Sequence, residues 1–327
     1  MTIKEIAELA GVSMAAVSRY FNGGSLSDEK RRIIGKVVEE YSYTPNALSK
    51  TTRADMCGQI GVIVPSIQSD SMTQIMTGID EILKINNYNF ILCCTDGEKE
   101  REVPYLENMQ RGGMDGIILM GTVMTPHLRA AFENSIIPIV VTGQSFSGVS
   151  SVYHDDVNSM RDITLLMLKK RDKVAYIGVD EEDEAAGLAR RRGVEKAFDE
   201  AGIGADKLIK AVSSFTVDGG YDQTMKLLEK HPDINGIVCA TDMIAIGAIK
   251  AIKASGRHVP EDVSVTGVGN SWASTWINPP LTTVKLYFEE CGRAAAKQLL
   301  GMIDAEETDV PISNIKLGYQ IIERGSI

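Results

Sequence analysis

The sequence predicts an α/β body of two doubly wound lobes that follows a small, all-α helix-turn-helix head. Two observations predict this fold class. Three short helical patterns occupy the first 45 residues, with a tight turn between the first two. From residue 59 onward, short apolar strand patterns alternate with helical stretches, and this series restarts at residue 173. Two such series indicate two parallel sheets with a ligand-binding cleft between them.

The helices of the head are predicted from capping residues and apolar spacing. Thr2 and Glu5 match a capping box at the start of the first helix. Gly11 provides the turn, Ser13 caps the second helix and Ser27 caps the third. The side chains expected inside the head recur at helical spacing: Ile6, Leu9, Ala10, Val17, Tyr20, Phe21, Ile33, Ile34, Val37 and Val38.

The body shows two series of strand patterns. The first is QIGVIVP, FILCCT, DGIILMG, IPIVVTG and SVYHDD, and the second is KVAYIGV, GIVCATD, VSVTGVG, LTTVKL and IKLGYQII. We therefore expect a head at 1–45, a hinge helix or linker at 46–57 and a body at 58–327. Each lobe is expected to take two segments of the body: about 58–157 plus 287–313 for the first lobe, and about 158–286 plus 314–327 for the second.

Charge is unevenly distributed along the chain. The first 53 residues hold eight Lys or Arg and six Asp or Glu, whereas the other 274 hold 26 and 38. A mildly basic head permits contact with DNA phosphates, and an acidic body discourages it. No apolar run approaches the ~18 residues of a membrane span. The N-terminal pattern MTIKEIAELAG differs from a signal peptide, so we expect a cytoplasmic protein.

The segment TIKEIAELAGVSMAAVSRYFN, followed by YTPNALSK, resembles the lactose-repressor (LacI/GalR) family of transcriptional regulators. The resemblance continues through nearly the whole chain to PPLTTV and the last strand. It implies a body like that of periplasmic sugar-binding proteins. It also implies a repressor of carbohydrate genes that binds a palindromic double-stranded operator as a homodimer and is controlled by a sugar or sugar phosphate.

The second helix of the head is expected to enter the major groove of DNA. Small side chains let its backbone approach base edges, and Arg19 has the geometry to contact guanine O6 and N7. The family commonly has Thr where this chain has Ala16, which removes one hydroxyl available for backbone contact. The DNA-contacting residues that the resemblance implies are Ser13, Met14, Ala15, Ala16, Ser18, Arg19 and Asn22.

The segment from Asn46 to Arg53 resembles the hinge helix of the family, which folds in the minor groove. The family often inserts a leucine between base steps near the end of that helix. Thr52 occupies that position here, and Leu48 lies one turn earlier. Asn46, Leu48 and Thr52 are therefore expected to contact DNA, with a plain flexible linker as the alternative.

Several candidate effector residues follow predicted strands at the expected mouth of the cleft. Asp70 and Ser71 are expected to open a helix, where free N–H groups bind anions and hydroxyls; an ordinary Asp cap is the alternative. Of the three arginines in ARRRG, helical geometry lets one or two face the cleft, and the resemblance favours Arg190. Phe215 matches an aromatic position that stacks on a sugar, with core packing as the alternative.

The remaining candidates lie in CATD and GVGNSW, and are Thr241, Asp242, Asn270 and Trp272. Many family members have an aspartate pair where this chain has Gly269 and Asn270. The loss of a carboxylate makes the site less repulsive to anions. CATD together with GVGN looks like the trehalose-repressor branch, whose effector is a sugar phosphate.

The sequence favours no catalytic or cofactor site. It contains no phosphate loop, no HExxH and no Cys/His cluster, and GVGN lacks the third glycine of a dinucleotide fingerprint. We therefore expect no enzymatic activity, no cofactor and no metal. No leucine-heptad tail follows the last strand, so we expect a dimer. Three alternatives remain: control by a protein co-regulator, a sugar-binding receptor without gene regulation, and an α/β enzyme.

Overall fold

A computed structural model describes residues 6–7, 9–13, 16–17, 20, 26–40, 56–121, 123–305 and 310–327. The chain divides into two compact units, residues 1–56 and 57–327. The first unit contains the predicted head. The second contains both α/β lobes, which we call lobe 1 and lobe 2.

The described residues of the head enclose a small apolar core of six buried side chains: Ile6, Ala7, Ala10, Ala16, Val17 and Ile34. Ser13 begins the second helix as predicted, because its Oγ and its carbonyl oxygen both accept from the Ala16 N–H, at 3.3 and 2.9 Å. Helix α1 (Asp28–Glu40) follows Ser27 directly, as predicted. Gly11 has φ of 62°, which suits the expected turn.

One expectation for the head is wrong, and the structure limits how a predicted DNA-contacting residue can act. Leu9 is exposed, because the buried face of the first helix is formed by Ile6, Ala7 and Ala10 and Leu9 flanks it. Ala16 is predicted to let the helix backbone approach DNA, and its side chain is buried in the core of the head. A methyl group in that core cannot contact a base edge, so any approach of DNA at Ala16 involves its backbone alone.

The described part of the body alternates strands and helices. The strands are β1 (Gln59–Val64), β2 (Asn89–Cys94), β3 (Gly116–Met120), β4 (Ile139–Gly143), β5 (Ser150–His154), β6 (Val174–Gly178), β7 (Ile209–Val212), β8 (Gly236–Cys239), β9 (Ser264–Val268), β10 (Thr282–Leu286), β11 (Asn314–Leu317) and β12 (Tyr319–Ile322). The helices are α2 (Asp70–Ile85), α3 (Glu102–Arg111), α4 (Pro126–Glu133), α5 (Asp156–Leu168), α6 (Arg190–Glu200), α7 (Val217–Lys230), α8 (Asp242–Ala254), α9 (Trp272–Trp276) and α10 (Phe288–Asp304).

The strands form two six-stranded sheets, one in each lobe. The strand order is β11-β5-β4-β3-β1-β2 in lobe 1 and β12-β10-β9-β8-β6-β7 in lobe 2. All neighbouring pairs are parallel except β10 and β12. The central strands are buried on both faces, as expected for parallel sheets covered by helices. The predicted doubly wound fold is confirmed.

The chain passes between the lobes three times: after β5, after β10 and between β11 and β12. Two of these crossings touch, because the rings of His154 and Phe288 pack edge to face with centroids 5.1 Å apart. The sequence analysis placed residues 314–327 in lobe 2. The structure corrects this boundary, since β11 pairs with β5 and only the chain beyond Gly318 joins the sheet of lobe 2.

Close helix packing in lobe 1 depends on glycine. Helices α2 and α10 lie so close together that a Cβ placed on Gly292 would be 2.0 Å from the Ile75 carbonyl oxygen. A Cβ on Gly78 would lie equally close to the Glu289 carbonyl oxygen. Since both obstacles are backbone atoms, no side-chain rotation relieves them, and this pair of glycines sets the spacing of the two helices.

Candidate functional site

Loops at the carboxyl ends of strands in the two lobes face each other. Lys99, after β2 in lobe 1, pairs with Glu182, after β6 in lobe 2, with Nζ and Oε2 2.7 Å apart. Gln144, after β4, donates from Nε2 to Asp183 Oδ1 at 3.3 Å. We call the space between these loops the interlobe cleft. Parallel α/β sheets bind ligands at this end of their strands.

Arg190 is the most constrained of the predicted effector residues. It is the first residue of α6 and is 8% exposed. Its Nε donates to Asp156 Oδ1 at 2.8 Å, and its Nη1 donates to the Ala240 carbonyl oxygen at 2.7 Å. The guanidinium therefore ties together the start of α5, the start of α6 and the end of β8. Arg191 instead pairs with Glu181 and Glu195, and Arg192 is exposed.

Asp156 was missed by the sequence analysis. It is the first residue of α5, directly after the first crossing between the lobes, and it is buried. The pattern SVYHDD contained a signal, because its two carboxylates follow a strand at the edge that faces the cleft. The partner of Asp156 lies 34 residues away, however, so the ion pair itself was not readable from local spacing.

The segment before Arg190 has an uncommon geometry. Residues 184–189 form a π-helical turn, and such turns occur frequently at functional sites. Asp183 caps this turn, since its Oδ1 accepts from the N–H groups of Ala185 and Ala186 at 3.0 and 2.8 Å. The same oxygen accepts the bond from Gln144 of lobe 1. Burial raises the pKa of Asp183 above its ordinary value, although the backbone donors oppose the shift.

Asp70 and Ser71 open helix α2, as predicted. The N-cap residue is Ser69, so the alternative assignment of Asp70 as an ordinary cap does not apply. Asp70 Oδ2 accepts from Gln74 Nε2 at 2.8 Å, and the hydroxyls of Ser69 and Ser71 are 2.7 Å apart. Both predicted residues therefore lie at the carboxyl-end side of β1.

The side chains of Thr241 and Asp242 form hydrogen bonds within lobe 2. Thr241 caps α8 through its Oγ1, which accepts from the Ile244 N–H at 3.3 Å. Asp242 is buried, and its two oxygens accept from Thr283 Oγ1 at 2.5 Å and from the Ser271 N–H at 2.6 Å. Burial raises the pKa of Asp242, while these donors lower it. The carboxylate thus fastens the start of α8 to β10 and the β9–α9 loop.

Asn270 is also held by internal contacts, whereas two aromatic candidates are exposed. The left-handed backbone of Asn270 (φ 51°) turns the chain after β9, and its Oδ1 accepts from Arg324 Nη2 at 2.6 Å. Trp272 is 71% exposed. Phe215, in the loop between β7 and α7, is 51% exposed, which excludes the alternative that its ring is simply core packing.

Two surface depressions of about 330 and 360 Å³ lie between α3 and α4 of lobe 1, and the first reaches Lys99 at the cleft. They share Val103 and His127 and include none of the sequence-predicted effector residues. We therefore place the candidate effector site in the interlobe cleft, where charged and polar groups of both lobes converge. Within the described residues, no group of His, Cys, Asp or Glu side chains is arranged to hold a metal ion.

Comparison with known proteins agrees with this architecture. Residues 2–46 match the family described as bacterial regulatory proteins of the lacI family, and residues 164–327 match the periplasmic binding protein-like domain. The chain is 32% identical over 330 residues to the HTH-type transcriptional regulator RegA of Clostridium saccharobutylicum, covering 99% of this chain and 98% of RegA. The chain belongs to the LacI family.

Further relatives also align with nearly the whole chain. The chain is 26% identical to catabolite control protein A of Streptococcus mutans, with 100% of this chain and 98% of that protein covered. A solved structure described as a transcriptional regulator CelR–cellobiose complex is 26% identical, has a TM-score of 0.75 and covers 100% of this chain and 99% of that chain. This LacI-family chain is thus a DNA-binding transcriptional regulator, like these relatives, which are regulators and not enzymes.

The predicted DNA-contacting residues of this LacI-family head lie mainly outside the described residues. This applies to Met14, Ala15, Ser18, Arg19, Asn22, Asn46, Leu48 and Thr52. Ser13 is described, and its side chain caps the second helix of the head. Among the described residues, no helix is both long enough and apolar enough to cross a bilayer.

Proposed function

We propose that this LacI-family protein represses carbohydrate genes from a palindromic operator, and that a sugar or sugar phosphate in the interlobe cleft controls its affinity for DNA. The single observation that carries the effector proposal is the buried pair of Arg190 and Asp156. It lies at the carboxyl ends of lobe 2 strands and at the first crossing between the lobes. A ligand that contacts Arg190 therefore acts at a point that both lobes share.

The proposed mechanism is an equilibrium between two arrangements of the lobes. One arrangement holds the heads of a dimer at half-site spacing, and the effector favours the other. Coupling is reciprocal, so a ligand that weakens operator binding binds less tightly to the DNA-bound protein. Residues 46–57 are the proposed hinge. Arg190, Asp70, Ser71, Phe215 and Trp272 are the proposed contacts to the effector. Thr241, Asp242 and Asn270, which form bonds within lobe 2, are assigned positioning roles.

Exposed apolar side chains support the homodimer. Strand β2 is the edge of the lobe 1 sheet and exposes Ile91 and Leu92. In lobe 2, helix α9 exposes Trp276, at 82%. An apolar sheet edge is an aggregation hazard unless another chain or element covers it. We propose that a second copy covers these surfaces, and that the protein acts in the cytoplasm, where it meets DNA, and catalyses no reaction.

The first test combines operator selection with a charge-removal variant. Operator fragments are selected from random DNA with the full chain, and binding is then measured with and without trehalose, sucrose, maltose and their 6-phosphates. The variant R190M/D156N removes both charges of the buried pair, and we expect it to bind the operator but to ignore the effector. An unchanged effector response would place the effector site elsewhere.

A second variant tests the head. We expect Arg19→Ala to cost ~1–3 kcal/mol of specific DNA binding and to relax sequence preference, with effector binding intact. Arg111→Ala, on helix α3 of lobe 1, is the matched control and should change neither. If Arg19→Ala left specific and non-specific DNA binding unchanged, the second helix of the head would not be the helix that contacts DNA.

Control by a protein co-regulator is a second candidate function. It is favoured by two relatives named catabolite control protein A, from Streptococcus mutans and Priestia megaterium, which are 26% and 28% identical to this chain. Under this proposal no sugar changes operator binding, whereas a cell extract that contains the co-regulator increases operator binding. Size-exclusion chromatography of the operator complex with extract would then show an added protein, and identification of that protein by mass spectrometry decides between the two candidates.

A further inference from the structure

Three buried polar atoms near the cleft have no hydrogen-bond partner within the described part of the chain. They are Tyr176 Oη, His154 Nε2 and Thr142 Oγ1, and each belongs to a side chain that is at most 5% exposed. Thr142 and His154 lie at the carboxyl ends of β4 and β5. A buried polar atom without a partner destabilises the folded chain, so each one requires an explanation.

Tyr176 points toward the cleft end of its strand. Tyr176 and Gly178 lie on the same face of β6, and Gly178 is the last residue of the strand. A Cβ placed on Gly178 would lie 2.6 Å from Tyr176 Cε1 and 3.1 Å from its Oη. The ring therefore runs along the strand over Gly178, and the absence of a side chain there lets the hydroxyl reach the carboxyl end of β6. The positive charge of Arg190 acts on that hydroxyl.

Three cations around the cleft are paired with carboxylates, and a fourth, Arg324, bonds neutral groups. Arg190 pairs with Asp156, Lys99 pairs with Glu182, and Arg191 pairs with Glu181 and Glu195. Arg324 donates to the neutral acceptors Ser274 Oγ, the Leu281 carbonyl oxygen and Asn270 Oδ1. A phosphate ester would have to compete with these carboxylates for Arg190, Lys99 and Arg191, since charge-assisted bonds to cations are what hold phosphates in proteins.

The loop after β6 adds negative charge at the mouth of the cleft. Residues 180–184 read Asp-Glu-Glu-Asp-Glu, and the contacts of Glu182 and Asp183 with lobe 1 show that this loop faces the cleft. The replacement of an aspartate by Gly269 removes one carboxylate from the site. This run supplies five, of which Glu181 and Glu182 are paired with Arg191 and Lys99, so that Asp180, Asp183 and Glu184 carry the excess negative charge. A ligand with a doubly charged phosphate is therefore repelled at the entrance, whereas a neutral ligand is not.

We infer that the effector is a neutral, hydroxyl-rich molecule that bonds Tyr176 Oη, and that the cleft rejects its phosphorylated form. This inference rests on the proposed sugar control and decides between its two ligand classes. Hydroxyl groups both donate and accept, so a polyol satisfies Tyr176, Thr142 and His154 without any change in the charge of the site. Arg190 then contributes its remaining N–H donors while it stays paired with Asp156.

The test compares matched ligand pairs on the full chain. Titration calorimetry and thermal unfolding are run with cellobiose, trehalose, sucrose, glucose and ribose, each against its own phosphate ester. We expect one neutral sugar to bind and its ester to bind at least about tenfold more weakly. An ester that binds as tightly as its parent sugar overturns the inference and leaves sugar control intact. If no sugar or ester binds, both the inference and sugar control fail, while DNA binding stands.

A conservative variant tests Tyr176 itself. Tyr176→Phe removes only the hydroxyl, so we expect an unchanged or higher melting temperature without ligand and about threefold to tenfold weaker binding of the neutral sugar. Thr266→Val is the matched control, because Thr266 Oγ1 is also buried and unpartnered but lies in the middle of β9. A purely structural role for Tyr176 predicts equal sugar affinity in both variants, and that result would overturn the assignment.

Discussion

The buried pair of Arg190 and Asp156 makes a quantitative prediction about stability. The two side chains are 9% and 5% exposed, and the bonded atoms are 2.8 Å apart. Removal of one partner leaves the other charge buried without compensation, which costs about 3–5 kcal/mol. Removal of both charges in R190M/D156N avoids that penalty and should cost far less. We therefore expect a coupling energy of at least about 2 kcal/mol between the two positions.

Equilibrium unfolding in urea measures this coupling in a double-mutant cycle of the wild type, R190M, D156N and R190M/D156N. Lys196 and Glu200 provide the matched control on the same helix, because they are 45% and 42% exposed and their charged atoms are 3.9 Å apart. That exposed pair should show a coupling of about 0.3–0.5 kcal/mol. If the two cycles gave equal couplings, Arg190 and Asp156 would not form a desolvated pair and the proposed effector contact would lose its basis.

Three further predictions concern packing, pH and the ligand. Gly292→Ala should destabilise the body by about 1–3 kcal/mol in urea unfolding because its Cβ meets backbone of α2, whereas Gly301→Ala on the same helix, with open space around it, should not. Burial lowers the pKa of His154 below its ordinary value of 6.5, so only the unfolded chain takes up this proton just below pH 6.5. The contribution of His154 to the free energy of unfolding is therefore complete above pH 6.5 and falls as the pH drops toward the folded pKa, by up to about 1.4 kcal/mol per pH unit. The variant His154→Phe should lack this pH-dependent loss of stability. Equal pH slopes of stability in the wild type and the variant would contradict the lowered pKa of His154. Phe215→Ala should weaken sugar binding in calorimetry without lowering the melting temperature, because the ring is half exposed; a large loss of stability would show that the ring packs in the core.

Strong periodic patterns predicted most of the fold, and the exceptions have physical causes. Strand β7 was missed because it is a four-residue edge strand with alternating burial and a lysine at its second position. The pattern IKLGYQII predicted one strand, but Gly318 divides it into β11 and β12, which pair in different lobes. Local sequence carries no information about such a division, because it depends on which distant strand each half meets.

In the candidate effector site, too, local sequence predicted positions but not distant partners. The sequence placed Asp70 and Thr241 at the starts of helices correctly, since capping patterns and strand ends are local signals. It did not show that Asp242 bonds Thr283 and Ser271, or that Arg190 bonds Asp156. Those partners come from other elements of the fold, so only the tertiary structure separates a carboxylate that fastens the fold from one that is open to a ligand.

Contacts between the lobes converge on the segment that carries Arg190. Gln144 of lobe 1 bonds the same Asp183 oxygen that caps the π-helical turn of residues 184–189, and Arg190 follows that turn directly. A change in the distance between the lobes therefore changes the cap of the turn and, through it, the position of the Arg190 backbone. Because Arg190 is also fixed to Asp156 at the crossing between the lobes, a ligand that bonds Arg190 acts on both connections at once. Under the proposed sugar control, a small molecule that bonds Arg190 thereby biases the relative position of the two sheets.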